Sequence, residues 1–305
     1  MLDVVIVGGS FAGLSAALQL ARASRSVLIM DDGNPRNRMS PAAHGVPGWD
    51  GVSPTDILTR FRADLAAYPT IGFLNDRAED ISGAIDAFEV TTQSGERIDA
   101  RRIILTHGVR DVLPDLPGLA EAWGRTVLHC PYCHGFEVKG RPLAALATGP
   151  MAAHQAQMLR ADWSEDVTVL VNGAEGLDPN AMDVAGIKIE PRIPVGFEPG
   201  DGIRVCFQDG PDADFAAIFT APRVELTGSP AACLGVGMSD GPMGPYVRTG
   251  PMQQTDIPGV FAAGDLATPM WNLNFAVGDG ARAGAGCHQS VLFPDFIPAL
   301  EKEAA

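Results

Sequence analysis

The chain has 305 residues, 46% of them hydrophobic, which is room for about two domains, each with its own core. Its formal charge is −15 and no basic run occurs, so the sequence argues against nucleic-acid and anionic-membrane partners, and no stretch approaches the roughly 18 apolar residues of a spanning helix. The opening MLDVVIVGGS has neither a basic n-region nor a small-residue cleavage site, so the expectation is a cytoplasmic protein with reduced thiols.

Leu2 to Val7 is a continuous apolar run with β-branched residues, the pattern of a central parallel strand. Gly8 to Gly13 reads as a turn, Leu14 to Ala23 as a helix, and Val27 to Met30 as a second strand ended by Asp31. This is a βαβ unit whose glycines let the backbone approach a pyrophosphate at a helix N-terminus. Asp31 follows Gly13 at the distance where a carboxylate binds ribose hydroxyls. The middle glycine of G-x-G-x-x-G is replaced by Ser10, small enough for the turn and able to reach a phosphate.

Arg102 to Gly108, RIILTHG, is a second strand-and-turn junction. Next comes HCPYCHGFE, His129 to Glu137, with two cysteines two residues apart. Four chemistries fit those letters. Haem attachment matches C-x-x-C-H but normally follows export. Zinc needs two more ligands, and no second C-x-x-C occurs, so no metal site is expected. A glutaredoxin pair starts a helix, whereas Gly135 and Gly140 follow here and no helix pattern appears. The fourth is a flavin-linked redox dithiol. Cys206, Cys233 and Cys287 read as small buried hydrophobes.

A second βαβ pattern follows, with strand Pro142 to Ala147, helix Met151 to Arg160 and strand Val167 to Val171. Its turn, Ala147-x-Gly149-x-x-Ala152, lacks the first glycine. The second strand runs out into Asn172-Gly173-Ala174, and no Arg or Lys lies between Arg160 and Lys188. A 2′-phosphate would find no cation, so NADPH binding is not expected. Thr255 to Gly284 supplies a strand (Gly259 to Ala263), Gly264-Asp265, and a helix beginning near Asn274. Glu301 to Ala305 is expected to fray. The Gly/Pro-rich stretches Pro114 to Gly118 and Asp240 to Pro245 suggest a split first domain, 1–115 and 245–305, with 116–244 inserted between its halves.

Taken together, the chain resembles the low-molecular-weight thioredoxin reductases from Asp3 to about Gln289. RIILTHG resembles their strand-plus-ATG junction, Gly264-Asp265 their second FAD motif, and Cys130-Pro-Tyr-Cys133-His134 their C-x-x-C-[DH]. The resemblance implies an α/β fold of two Rossmann-like three-layer β/β/α domains of the FAD/NAD(P)-binding type, the second inserted in the first. It implies FAD as cofactor and a homodimer. It places flavin contacts at Gly8, Ser10, Phe11, Ala12, Gly13, Asp31, Asp32, Asn37, His44, Ala78, Thr106, Gly108, Gly264, Asp265, Asn272 and Leu273. It also implies that Cys133 faces the flavin, that Cys130 meets the substrate, and that His134 shuttles protons, with an unperturbed pKa of about 6.5.

CPYCHG, the Gly-Gly-Ser opening, PRNR (Pro35 to Arg38) and AAHG (Ala42 to Gly45) look like the dithiol oxidases of gliotoxin and holomycin biosynthesis. That branch implies oxidation of a small-molecule dithiol to a disulfide, with O₂ as acceptor and H₂O₂ formed. The alternative is a reductase of thioredoxin or a similar protein, fed by NAD(P)H or ferredoxin, and a third option is a flavin-bound redox sensor. Trp271 and Asn272 stand where the reductases have Arg-Gln, so Trp271 either lines a small-molecule pocket or packs on the flavin.

Overall fold

A computed structural model of the chain describes residues 1–149, 151–293 and 299–301. Pro150 of the second turn, and residues 302–305 of the tail expected to fray, lie outside the described residues. Contacts divide the chain into two units: residues 1–36, 55–110 and 225–305 form the first, and residues 37–54 and 111–224 the second.

In the first unit the opening apolar run forms the strand Leu2–Val7. It pairs in parallel with Val27–Met30, Val5 opposite Leu28, and with Arg97–Leu105, Val5 opposite Ile103. Ile71–Leu74 extends the sheet beyond Val27–Met30. The long strand Arg97–Leu105 has two kinds of neighbour. Its first half is antiparallel to Ala87–Thr92, which pairs in turn with Ala78–Ala84; its end runs parallel to Val260–Ala262, Phe261 opposite Ile104. One sheet therefore brings together motifs that stand at opposite ends of the sequence.

Ser10 is the N-cap of the helix Phe11–Arg22, which starts three residues before the expected Leu14 and places Gly13 in its first turn. The C-terminal helix Leu273–Leu292 packs against it. Glycine makes that approach possible. A Cβ at Gly280 would stand 2.1 Å from the Ala12 carbonyl oxygen, and one at Gly284 2.5 Å from that of Ala16. Ser15 Oγ donates to the Val277 carbonyl at 2.7 Å, tying the pair of helices further. Arg102 is fully buried in this unit, and its guanidinium donates to Asp86 Oδ1 at 2.8 Å and Ser290 Oγ at 3.0 Å. A buried cation needs partners of this kind.

The second unit is built on a parallel sheet. Leu143–Leu146 lies at its centre, flanked by Val167–Leu170 and then Lys188–Glu190 on one side, and by Ala217–Thr220 and then Val127–Leu128 on the other. The central strand is LAAL, buried along its length, as expected of a strand covered on both faces. The helix Ala152–Asp162 closes one face through Ala156 and Leu159. Leu119, Phe197, Val205 and Ile218 pack on the other, where Pro194–Pro199, Ile203–Phe207 and Ala213–Phe215 form an antiparallel sheet. Both units are thus α/β domains of the expected class.

Three features differ from expectation. The chain returns to the first unit at Glu225, not near 245, because the short helix Pro230–Leu234 packs on Ala78–Ala84 within that unit. The Gly/Pro-rich Asp240 to Pro245 segment is the turn of a two-stranded ribbon, Met238–Gly241 with Gly244–Val247. Residues 37–54, expected in the flavin domain, belong to the second unit, where Met39 sits so close to Gly124 that a Cβ there would meet Met39 Cβ at 2.9 Å. Finally, Cys287 is buried as expected, but Cys206 is half-buried and Cys233, on the short Pro230–Leu234 helix, is exposed. Among the described residues no helix is long and apolar enough to cross a membrane.

Candidate functional site

The first unit contains a cradle built around the turn after Leu2–Val7. Gly8 adopts a φ of +103° and is pressed against the neighbouring strand end, where a Cβ would lie 2.4 Å from the Thr106 carbonyl oxygen. Only glycine tolerates that position. A Cβ at Gly13 would stand 2.0 Å from the Gly8 carbonyl oxygen, so the helix start and the turn are in contact. Thr106 Oγ1 donates to the carbonyls of Val7 at 3.0 Å and Gly8 at 2.7 Å, which fixes the turn from below. The Ser10 side chain caps no N–H of the helix it begins. The first turn, Phe11 to Gly13, therefore offers backbone donors to an anion, aided by the helix dipole.

The acidic residues expected at the cradle each meet an arginine. Asp31 accepts from Arg62, Asp32 accepts from Arg77 at 2.6 Å, and Asp265 accepts from Arg36 at 3.0 Å. Gly264, with φ +78°, brings the second motif against the first: a Cβ there would lie 2.9 Å from Ala12 Cβ. The Arg36 guanidinium also lies 4.1 Å over the Trp271 ring, and Trp271 Nε1 donates to the Asp265 carbonyl at 3.0 Å. Trp271 therefore braces Asp265. Asn272 caps the C-terminal helix, which begins at Leu273, by accepting from the Asn274 N–H at 2.8 Å. Ala78 is buried in the hairpin opposite Thr92, next to the Arg77 that holds Asp32. Gly108 follows with φ +68°.

Between Thr106 and Gly108, His107 has two dry ring nitrogens with no protein partner. Burial pushes its pKa down to about 4, so the imidazole is neutral. A neutral imidazole with a buried donor and acceptor suits a polar ligand in this cradle. Glycines that no Cβ can replace, uncapped helix N–H groups, paired acids and this orphaned imidazole together fit a bound dinucleotide.

The cysteine pair lies in the second unit. Cys130 and Cys133 form a disulfide at the start of a one-turn helix, Pro131–His134, which the sequence did not foretell. Cys130 is its N-cap, and its Sγ accepts the Cys133 N–H at 3.2 Å. Pro131 supplies a preset φ at the first helical position. Gly135 ends the turn because a Cβ would collide at 2.7 Å with both the Pro131 carbonyl oxygen and the Trp163 indole. Gln155 Nε2 donates to the His129 carbonyl at 2.6 Å, and His129 Nδ1 lies 3.2 Å from the Thr220 carbonyl oxygen. Tyr132 and Phe136 are 76% and 78% exposed, one between the cysteines and one just beyond them.

His134 is half-buried and its pKa is lowered, chiefly by burial, with His44 pushing the same way and Glu137 opposing. His44 was expected at the flavin; it and Asn37 lie in the 37–54 segment of the dithiol unit, and the His44 ring centroid is 6.1 Å from that of His134.

The second nucleotide-type turn lies in the same unit. Ala147 is buried, and its carbonyl oxygen accepts from Asn172 Nδ2 at 3.3 Å. Thr148 Oγ1 donates to the Ala221 carbonyl at 3.0 Å. The cations that bracket this stretch of sequence are engaged: Arg160 donates to the Gly186 carbonyl, and Lys188 pairs with Asp166 at 2.8 Å. The sequence reading missed Arg36, Arg62, Arg77 and His107. The arginines carry no spacing signal, whereas His107 stood within the RIILTHG junction itself.

Comparison with known proteins identifies the family. A family model for pyridine nucleotide-disulphide oxidoreductases matches residues 2–280. The chain is 33% identical to thioredoxin reductase tcpT of Claviceps purpurea, over 93% of this chain and 92% of that one. It is 33% identical to thioredoxin reductase sirT of Leptosphaeria maculans, over 96% and 95%. A crystal structure of an oxidoreductase from Agrobacterium tumefaciens superposes with a TM-score of 0.91 at 42% identity, covering 96% of this chain and 99% of that one. The expected kinship with thioredoxin reductase-like flavoproteins holds, and the family implies that the chain binds FAD.

Proposed function

This chain belongs to the pyridine nucleotide-disulphide oxidoreductase family, and we propose that it oxidises a small-molecule dithiol to a disulfide with O₂ as final acceptor. It is an enzyme of the thioredoxin reductase-like type. The observation that carries the finer reading is the second turn, where Asn172 folds back onto the Ala147 carbonyl. A nicotinamide dinucleotide needs that turn open, and a 2′-phosphate needs cations. Losing charge-assisted bonds of roughly 1.5–3 kcal/mol each weakens NADPH by orders of magnitude.

FAD would be held by Gly8, the first-turn N–H groups of Phe11 to Gly13, Ser10, Asp31, His107 and the Gly264-Asp265 turn. Bound there, it supplies a two-electron acceptor for the reduced cysteine pair and a donor that reduces O₂ to H₂O₂.

The chain's own residues perform the thiol chemistry. A substrate thiolate attacks Cys130 Sγ; a substrate–Cys130 disulfide forms as the Cys130–Cys133 bond breaks, and Cys133 leaves as a thiolate. The second substrate thiol gives its proton to His134 and attacks the substrate sulfur of the mixed disulfide. The substrate disulfide closes and Cys130 leaves as a thiolate, stabilised by the Cys133 N–H aimed at its Sγ. Two electrons have passed to the cysteines, and one proton each to solvent and His134. Cys130 at the helix start supports its role as the thiol that meets substrate.

Stopped-flow mixing under argon tests the reading. NADPH and NADH at millimolar levels should bleach the flavin slowly or not at all, while dithiothreitol, a generic dithiol, bleaches it fast. Admitting O₂ should then return the colour with one H₂O₂ per disulfide. Fast, stoichiometric bleaching by either nicotinamide overturns the oxidase and restores the second reading, a disulfide reductase, which the names of the fungal relatives favour.

A further inference from the structure

We propose that Arg36, paired with Asp265 and stacked on Trp271, is a clasp on the cofactor cradle that opens to admit and release FAD. This role concerns cofactor exchange and stands apart from the dithiol reading above.

A closed circuit of chain borders the cradle. Its first link is the packing of Gly9 on Asp31, where a Cβ on the glycine would lie 2.8 Å from Asp31 Cβ. After Asp31 the chain turns: Asn34 N donates to Asp32 Oδ1 at 3.3 Å, and Asn34 Nδ2 donates to the Asp32 carbonyl at 3.2 Å. Both acids at the start of this segment are held, Asp31 by Arg62 and Asp32 by Arg77. Its far end is held through Arg36, whose Nη1 donates to Asp265 Oδ2 at 3.0 Å. Gly264 then closes the circuit against Ala12, a Cβ there lying 2.9 Å from Ala12 Cβ. The circuit passes Asp31, Asp265 and the first-turn N–H groups, which are the groups that would hold FAD.

Three non-covalent links complete this circuit. Two of them, Gly9 on Asp31 and Gly264 on Ala12, are glycine contacts with no room for a methyl group. The third is made by two side chains, which part by rotation about single bonds while the backbone stays in place. Arg36–Asp265 is therefore the link that opens with least disturbance. It is also better held than an ordinary surface pair. The two side chains are only 17% and 24% exposed, so solvent and salt screen them less. The guanidinium lies 4.1 Å over the Trp271 ring, whose face attracts a cation, and Trp271 Nε1 donates to the Asp265 carbonyl at 3.0 Å. One indole thus holds both partners. Thioredoxin reductases have arginine at the position of Trp271; a second guanidinium there would repel Arg36, so the clasp belongs to this chain's own sequence.

The test is FAD release from the flavin-loaded protein, followed by the rise of free-flavin fluorescence on dilution, with the flavin retained at equilibrium measured alongside. Opening a clasp speeds entry and exit together, whereas loss of a cofactor contact speeds exit alone. Arg36→Gln should therefore release FAD about tenfold faster while Kd changes by less than about threefold. Arg36→Lys keeps the ion pair without the flat stack and should release it roughly threefold faster. Trp271→Leu should approach Arg36→Gln, and the double variant should be no faster than the faster single, because both substitutions open one clasp. An unchanged release rate in Arg36→Gln and Trp271→Leu overturns the proposal. So does a Kd that rises in step with the rate, or single effects that multiply in the double variant. If Arg36→Gln unfolds at the assay temperature, Arg36→Lys and Trp271→Leu decide by the same two measurements.

Discussion

Gly8 in the first unit and Ala147 in the second occupy the same rung of their sheets. Each backbone N–H donates to the last residue of the neighbouring strand, Gly8 to Met30 at 2.7 Å and Ala147 to Leu170 at 2.9 Å. Each turn is also footed by a threonine at the end of the other neighbouring strand: Thr106 Oγ1 bonds the Val7 carbonyl, and Thr220 Oγ1 bonds that of Leu146. From this shared frame the differences can be read position by position. Asp31 corresponds to Val171, Asp32 to Asn172, and His107 to Ala221. The cradle of the first unit has paired acids and an unpartnered imidazole. The second has a valine, an amide bonded back to the turn, and an alanine. A nucleotide-type turn thus changes its character through a few side chains, while the strands beneath, which also carry the cysteine pair, keep their hydrogen-bond ladder.

The strongest way to break the comparison is to put a Cβ where the first turn allows none. Gly13→Ala drives a methyl group to within 2.0 Å of the Gly8 carbonyl oxygen. We expect loss of bound FAD and about 3 kcal/mol of stability, read from the flavin-to-protein absorbance ratio and the Tm. Full retention of flavin would mean that the cradle is misassigned.

A smaller effect separates His107 from Ala221. His107 is half-buried with both ring nitrogens inaccessible, and it is neutral in the folded chain, with its pKa lowered to about 4, whereas the unfolded chain takes up a proton below its ordinary value. Its contribution is therefore fully present above about pH 6.5 and is lost as pH falls toward 4. Between pH 7 and 5 this amounts to about 2 kcal/mol. Urea unfolding of the parent and of His107→Thr at both pH values should show the variant losing less by that amount; equal losses would mean that the His107 ring nitrogens are not shielded as described.

The smallest effect sharpens the second turn. Ala147→Gly restores the missing glycine and should cost about 0.5–1 kcal/mol through added freedom of the unfolded chain. It should not quicken bleaching by NADPH, because Val171 and Asn172 still offer no charge. Rapid bleaching in this variant would show that one methyl group alone separates the two turns.

Parts of this were legible in the sequence for a simple reason. A central parallel strand is an apolar run bounded by glycine and acid, and Leu2–Val7 and Val27–Met30 were read to the residue. The opening helix was read too short, since glycine near its start looked like loop, although Ser10 was already the cap. Gly135 looked like a helix breaker and is the residue that lets a single turn fit under Trp163. The arginines of the cradle were illegible because Arg62 and Arg77 lie 31 and 45 residues from their acids, and Arg36 lies 229 from its own. No local pattern reports such pairs. The allegiance of residues 37–54 was hidden likewise, since it rests on Met39 reaching Gly124 and on His44 reaching Glu137.

The glycine-lined contact between the opening helix and Leu273–Leu292 sets a schedule for synthesis. The face that Ala12 and Ala16 present to Gly280 and Gly284 has no partner until residue 284 has been made. Asp265 reaches Arg36 equally late. The second unit, by contrast, has every strand of its parallel sheet once residue 220 has emerged. The nascent chain can therefore complete the sheet that carries its cysteines while the dinucleotide cradle still lacks Gly264-Asp265 and the Leu273–Leu292 helix.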